Sequence, residues 1–303
     1  MRILITGSAG LVGSSLVRIF EQSNDEIFAA TRNEADLFSL SETKALLAEA
    51  NPDVIVNAAA KVGGIYANNT ERTDFIFHNL KINMNLLEAS IPYKNLKFIN
   101  LGSSCIYPLN APNPISEESL MEGKLEPTNS PYAMAKLTAI EIGRAIKNEH
   151  GIDIINLMPT NLYGPNDNFS ELGSHVIPAL IYRMHLAKQN KEKVFKVWGT
   201  GTPKREFLHV DDLAAAIKHI IKENIEDDLI NIGSSEEISI LELVNLISEI
   251  INYEGEIILD PSKPDGNPRK LLDSSKINSL GWKAQINLRK GLKEVYNWYV
   301  QND

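Results

Sequence analysis

The feature that most constrains this chain is an alternation. Five short runs dominated by Val, Ile and Leu (RILIT at 2–6, EIFAAT at 26–31, DVIVNAAA at 53–60, KFINL at 97–101 and IDIINLM at 152–158) are separated by helix-like stretches. Those stretches begin near Gly10 and Ser41, span 74–90, and run from Pro131 to about Glu149. Strands that alternate with helices argue for a parallel sheet with right-handed crossovers. The fold class expected is α/β, a doubly wound parallel sheet of the Rossmann type.

The texture changes after residue 160, where LYGPNDNF, WGTGTPKREF and PSKPDGNPRK are polar, Gly- and Pro-rich loops between shorter elements. Residues 1–160 are therefore read as a dinucleotide-binding domain and 161–303 as mainly a smaller substrate-binding lobe. DDLINIGS (227–234) still has the look of a sheet strand. The second lobe is thus expected to be discontinuous, a segment near 206–234 completing the first domain.

Composition narrows the function classes. A hydrophobic share of 43% and a charged share of 23% are those of an ordinary globular protein. The formal net charge of −9 argues against a general nucleic-acid binder, yet leaves room for an anionic small molecule held by local arginines. A single cysteine in 303 residues rules out an intramolecular disulfide and a Cys-cluster zinc site, and no other metal site is expected. MRILITG enters a strand with no leader of signal-peptide form, and no apolar run reaches membrane-spanning length. The cytoplasm is the expected compartment.

TGSAGLVG (6–13) follows the first strand and opens a helix. Gly7 permits the tight turn, Gly10 admits a pyrophosphate, and Gly13 lets the helix pack closely on the sheet. The amides of Ser8, Ala9, Leu11 and Val12 complete a phosphate-binding turn at a helix N-terminus. In AATRNEADL (29–37) the usual ribose-binding acid is replaced by Arg32, which suits a 2′-phosphate and favours NADP. Arg32 could equally be a solvated surface charge. Asp36, beside Leu37, could bond the adenine or cap the next helix.

SPYAMAK (130–136) starts a helix, with Ser130 as N-cap and Pro131 in the first turn. Tyr132 and Lys136 are then four apart on one face. A cation beside a phenol favours the phenolate, so Lys136 is expected to lower the Tyr132 pKa and make it a proton donor to a carbonyl oxygen receiving hydride.

The glycine turn, Ser103 after the fourth strand, and Tyr132-x-x-x-Lys136 together resemble the extended short-chain dehydrogenase/reductase family. AAAKVGGIYANNT (58–70), LGSSCIYP (101–108), EPTNSPYAMAK (126–136), MPTNLYGPNDNF (158–169), SHVIPAL (174–180), WGTGTPKREFLHVDD (198–212) and KPDGNPRKLLD (263–273) resemble more closely its GDP-L-fucose synthases. The resemblance covers essentially the whole chain. It implies an NADP(H)-dependent enzyme acting on a GDP-linked 4-keto-6-deoxyhexose, a homodimer that pairs the helices near 74–90 and 131–149.

The resemblance also implies roles. Cys105 and His175 would be the acid/base pair for epimerisation, and Ser103, Tyr132 and Lys136 the reductase set. A proton beside a ketone is acidic enough for a thiolate, and inversion needs a second group such as histidine on the other ring face. The alternatives are a packing cysteine and a structural histidine. Leu101, Gly102, Ser103 and Ser104, with Pro159, Thr160, Asn161 and Leu162, would line the nicotinamide side, as would His175. Arg183, Trp198, Arg205 and Asp265 would contact the nucleotide sugar. Asp211 and Asp212 are expected to cap the helix DLAAAIKHII rather than to act in catalysis.

One departure concerns the glycine turn, where Ser8 and Ala9 stand at the place of an arginine found in some of these synthases. NADP preference would then rest on Arg32. Related readings are a nucleotide-sugar 4-epimerase, which needs no Cys/His pair, and a dehydratase, which has an Asp-Glu pair where Ser104 and Cys105 lie here. A non-catalytic NADP-binding sensor would usually lack the Tyr or the Lys.

Overall fold

The computed structural model describes residues 1–170, 173–263 and 265–302. Its first half contains β1 (Arg2–Thr6), α1 (Leu11–Phe20), β2 (Glu26–Ala30), α2 (Leu40–Ala50), β3 (Val54–Asn57), α3 (Ile65–Thr70), α4 (Arg72–Ser90), β4 (Lys97–Leu101), α5 (Ser130–His150) and β5 (Asp153–Pro159). There follow β6 (Asn161–Tyr163), α6 (Val176–Gln189), β7 (Val194–Trp198), β8 (Lys204–His209), α7 (Val210–Lys222) and β9 (Leu229–Ile232). The chain ends with β10 (Glu237–Ser239), α8 (Ile240–Ile251), β11 (Glu256–Asp260), β12 (Arg269–Lys270), α9 (Ser275–Ser279) and α10 (Leu288–Asn302). Among the described residues no helix is long and apolar enough to cross a membrane.

Six strands form one sheet in the order β2-β1-β3-β4-β5-β9, with every pairing parallel. Successive residues of a strand face opposite sides, so both sides need a cover of helices. Ile3 and Ile5 pack with Leu16 and Phe20 of α1 and with Leu213, Ile217 and Ile220 of α7. Leu4 faces the other way, against Leu46 and Leu47 of α2 and Leu86 and Leu87 of α4. Burying such a side chain is worth about 1.5–3 kcal/mol, which is why the apolar runs were legible as strands.

β9 comes from the DDLINIGS segment and lies beside β5, so the chain returns to this sheet after visiting the second layer. That layer holds β10-β8-β12 with β6 on β8, and the parallel pair β7–β11. Its own core joins Ile177, Ile181 and Met184 of α6 to Leu243 and Ile247 of α8 and Leu292 of α10.

Three local expectations are corrected. The N-cap of α5 is Asn129, Ser130 being the first helical residue, because the Glu126 carboxylate already holds the amides of Thr128 and Asn129 and sets the turn one residue earlier. α7 is capped by His209, whose ring accepts from the Asp211 amide at 3.2 Å. Asp211 instead pairs with Arg18 and Ser15 of α1, and Asp212 accepts from the amides of Gln285 and Ile286. Their work is to tie distant segments together. Asp36 does not cap α2 either: Ser39 does, and Asp36 Oδ1 accepts from the Phe38 amide at 2.9 Å.

Glu206 of β8, with no exposed surface, accepts from the amides of Ser235 at 2.8 Å and Leu272 at 3.0 Å. It joins the end of β9 to the segment after β12. Burial pushes its carboxyl above the usual range, the amide donors pulling the other way. Glu206→Ala leaves two buried amides without an acceptor, at about 1–3 kcal/mol each. The expected result is a thermal midpoint lowered by several degrees in calorimetry, and a wild-type midpoint would show that the clamp contributes nothing.

Candidate active site

The strand order reverses direction beside β1, between β2 and β3, and ligands of such sheets sit beyond the carboxyl ends of the strands at that point. A cleft of about 1590 Å³ opens there, running from the end of α1 to the second layer. Gly7, with φ +66, turns the chain at its inner end; a Cβ there would lie 2.8 Å from the Ala59 backbone. A Cβ on Gly13 would come within 2.1 Å of the Gly7 carbonyl oxygen, so α1 can approach only because that residue is glycine. Gly10 caps α1 in extended conformation, and Ala9, Gly10, Leu11 and Val12 line the cleft.

The free first-turn amides and the missing side chains make this a cradle for a diphosphate, so the residues present fit a dinucleotide. Two of the expected contacts lie behind the wall. Ser8 is buried, its amide donating to the Ala30 carbonyl at 3.1 Å, and Gly13 packs beneath the turn. Arg32, Asp36 and Leu37 do line the cleft. Arg32 is exposed and, among the described residues, takes part in no hydrogen bond or ion pair, which leaves its guanidinium available to an anion.

The middle of the cleft is built at the end of β4. Leu101, Gly102, Ser103, Ser104 and Cys105 leave the sheet there, the last three entering one tight turn over Ser104–Ile106. Ser103 Oγ accepts from the Cys105 amide at 3.1 Å and neighbours Tyr132, whose ionised form it favours. α5 brings Tyr132 and Lys136 to the same wall, facing Pro159, Thr160, Asn161 and Leu162 from the passage between β5 and β6. His175 precedes α6 and reaches the cleft with no capping bond from its ring.

The electrostatics differ from the expectation for Tyr132. Burial raises its pKa above the ordinary phenol value, and the neighbouring Cys105 acts in the same direction; only Ser103 opposes. Lys136 does not reverse this. Its Nζ lies 5.9 Å from the Tyr132 ring centroid and donates instead to the Leu101 carbonyl at 2.7 Å. Burial also brings Lys136 down to about 8 and holds His175 below its usual value, favouring neutral imidazole at neutral pH. The phenol is therefore kept protonated, the form a proton donor needs.

The outer end belongs to the second layer. Arg183 donates to the Lys196 carbonyl at 2.6 Å and lies over the rings of Phe195 and Trp198. Trp198 is 54% exposed and offers a flat face beside Lys263. Asp265 is held by the Thr200 amide at 2.6 Å and hydroxyl at 2.8 Å. Arg205 reaches the cleft from β8, its charge opposed by burial and supported by Cys105 and Asp265. Cys105 itself is half-buried, and its Sγ accepts from Lys270 Nζ at 3.4 Å. Nothing local in the sequence marks Lys270, which lies 165 positions away.

A carbonyl substrate in this cleft would meet a protonated phenol, the Cys105 sulfur and the His175 imidazole, with arginines and an indole beyond them. That set can move protons to and from carbon and oxygen at one ring.

Residues 3–233 match the model of the NAD dependent epimerase/dehydratase family. The chain is 47% identical to the probable GDP-L-fucose synthase 1 of Oryza sativa subsp. japonica, over 99% of this chain and 92% of that one. It is 44% identical to the GDP-L-fucose synthase of Escherichia coli (strain K12), over 99% and 97%. Among solved structures, a GDP-L-fucose synthetase from Naegleria fowleri bound to NADP superimposes with a TM-score of 0.90 at 28% identity, over 99% and 94%. The chain belongs to the NAD dependent epimerase/dehydratase family, in its GDP-L-fucose synthase group.

Proposed function

We propose that this chain converts GDP-4-keto-6-deoxy-D-mannose to GDP-L-fucose, by epimerisation at C3 and C5 followed by reduction at C4. The observation that carries the reading is the joining of Ser103, Cys105 and Tyr132 at the end of one strand, in the same cleft as His175. The cofactor is NADP(H), which supplies the hydride for the C4 ketone when bound.

The residues divide the work. Cys105 and His175 move protons at C3 and C5: the one that is proton-free takes the proton beside the ketone, the C–H electron pair passes into an enolate, and the other, carrying a proton as thiol or imidazolium, delivers it to the opposite face. Tyr132, beside Ser103, steadies the C4 oxygen and later gives it a proton as the ketone becomes an alcohol. Lys136, fixed on the Leu101 carbonyl, shapes the nicotinamide side with Leu101 to Ser104 and Pro159 to Leu162. Arg183 and Arg205 suit the diphosphate, Trp198 stacks on a ring, and Asp265 accepts from hydroxyls.

We also propose a homodimer in the cytoplasm. Phe77 and Met84 on α4 and Met134 on α5 expose large apolar side chains on adjacent helices, a patch that pairing would cover.

The two half-reactions separate by substitution. Tyr132→Phe is expected to lower reduction about 10²–10⁴-fold while cofactor still binds, since the ring remains. Cys105→Ser is expected to oxidise NADPH yet yield an incompletely epimerised GDP-deoxyhexose, with solvent deuterium entering C3 and C5 much more slowly; GDP-fucose formed at the wild-type rate would show the cysteine to be a packing residue. For the cofactor, a charge-assisted contact of about 1.5–3 kcal/mol corresponds to a tenfold to hundredfold preference for NADPH over NADH. Arg32→Ala should erase most of it, and equal dissociation constants in wild type would exclude that role. Light scattering is expected to give twice 33.7 kDa, falling to the monomer in Phe77→Glu.

A further inference from the structure

Four cations stand side by side where β8 pairs with β12: Lys204 opposite Arg269, and Arg205 opposite Lys270. Alternation along a strand sends the two pairs to opposite faces. On one face Arg269 and Lys204 share the carboxylate of Glu237, at 2.7 and 3.3 Å. On the other, Lys270 lines the cleft and, among the described residues, forms no ion pair with a carboxylate. Its Nζ donates to the sulfur of Cys105 at 3.4 Å. Among the described residues, Lys270 from β12 touches this sulfur, and Tyr132 from α5 and Arg205 from β8 lie near enough for its charge to act on them, one neutral phenol and two cations.

We propose that Lys270 is a positioning residue for Cys105: its ammonium holds the sulfur as a thiolate aimed into the cleft. The proposal rests on the reading of Cys105 as an epimerisation group, and it deepens that reading. The thiolate, not the thiol, is the form that can take a proton from carbon, and an adjacent cation favours it. The backbone of Cys105 is already fixed by the Ser103 hydroxyl, so the lysine has only the side chain to orient. β12 is two residues long, and its register alone decides which of two neighbouring basic residues meets the sulfur.

Because the chain has one cysteine, iodoacetamide alkylation reports on Cys105 alone. The rate is followed against pH in wild type, Lys270→Met and Lys270→Arg, without substrate, and thiolate absorbance in the ultraviolet is read on the same samples. In Lys270→Met the profile is expected to move to higher pH and the rate at neutral pH to fall at least about tenfold. Lys270→Arg should restore most of it. The kcat for deuterium entry at C3 and C5 should fall with the thiolate fraction, with little change in KM. An alkylation profile in Lys270→Met identical to wild type would overturn the proposal. So would a rise in KM alone, which would assign the lysine to the diphosphate. Cys105→Ser keeps the two readings apart: full epimerisation there removes the catalytic role of the cysteine, whatever the alkylation profile shows about its neighbour.

Discussion

A parallel sheet buried on both faces is the constraint on which everything else here depends. Its strands are covered mainly by apolar side chains above and below, as Ile3, Leu4 and Ile5 show by packing alternately against two layers of helices, and the buried polar exceptions pair with one another, as Thr6 does with Asn57 and Asn100 with Asn156. No polar group with a chemical task can sit inside such a structure without a partner. Chemistry is pushed to the carboxyl ends of the strands, where the chain leaves the ladder and the helices begin. The turn after β1, the serine and cysteine after β4, and the passage between β5 and β6 all occupy that edge.

Burial then decides the charge states at the edge. Tyr132 is pushed up, Lys136 down to about 8, and His175 down, each towards its neutral form. A cation near the phenol does not outweigh desolvation here, because Lys136 is engaged by the Leu101 carbonyl. Cys105 has different neighbours: Lys270 of β12 donates to its sulfur, and Arg205 of β8 reaches the same part of the cleft. One cleft therefore holds a protonated donor beside a sulfur among cations, with Ser103 neighbouring both.

The second layer is held to the first by groups that no local pattern reveals. Glu206 looks in sequence like one more charge in a loop, yet it is buried and bonded to two amides from separate segments. Asp211 and Asp212 look like a helix cap, which is a local rule, and instead answer to α1 and to the approach to α10. The same competition moved the start of α5, where the Glu126 carboxylate holds the amides of Thr128 and Asn129 and the helix begins one residue early, capped by Asn129.

The sequence by itself determined what depends on neighbours along the chain. Apolar runs specify buried strands, the spacing of Gly7, Gly10 and Gly13 specifies a turn that a Cβ would block, and a four-residue spacing puts Tyr132 and Lys136 on one helical face. Only the tertiary structure decided what depends on closure in space. It chose Lys270 over Arg269 as the partner of a cysteine 165 residues away, through the register of a two-residue strand. It turned Lys136 onto a carbonyl and placed Ser8 behind the cofactor turn. Periodicity is a property of one segment, whereas solvent exclusion and charge pairing arise only when several segments meet, and that is where the two readings part.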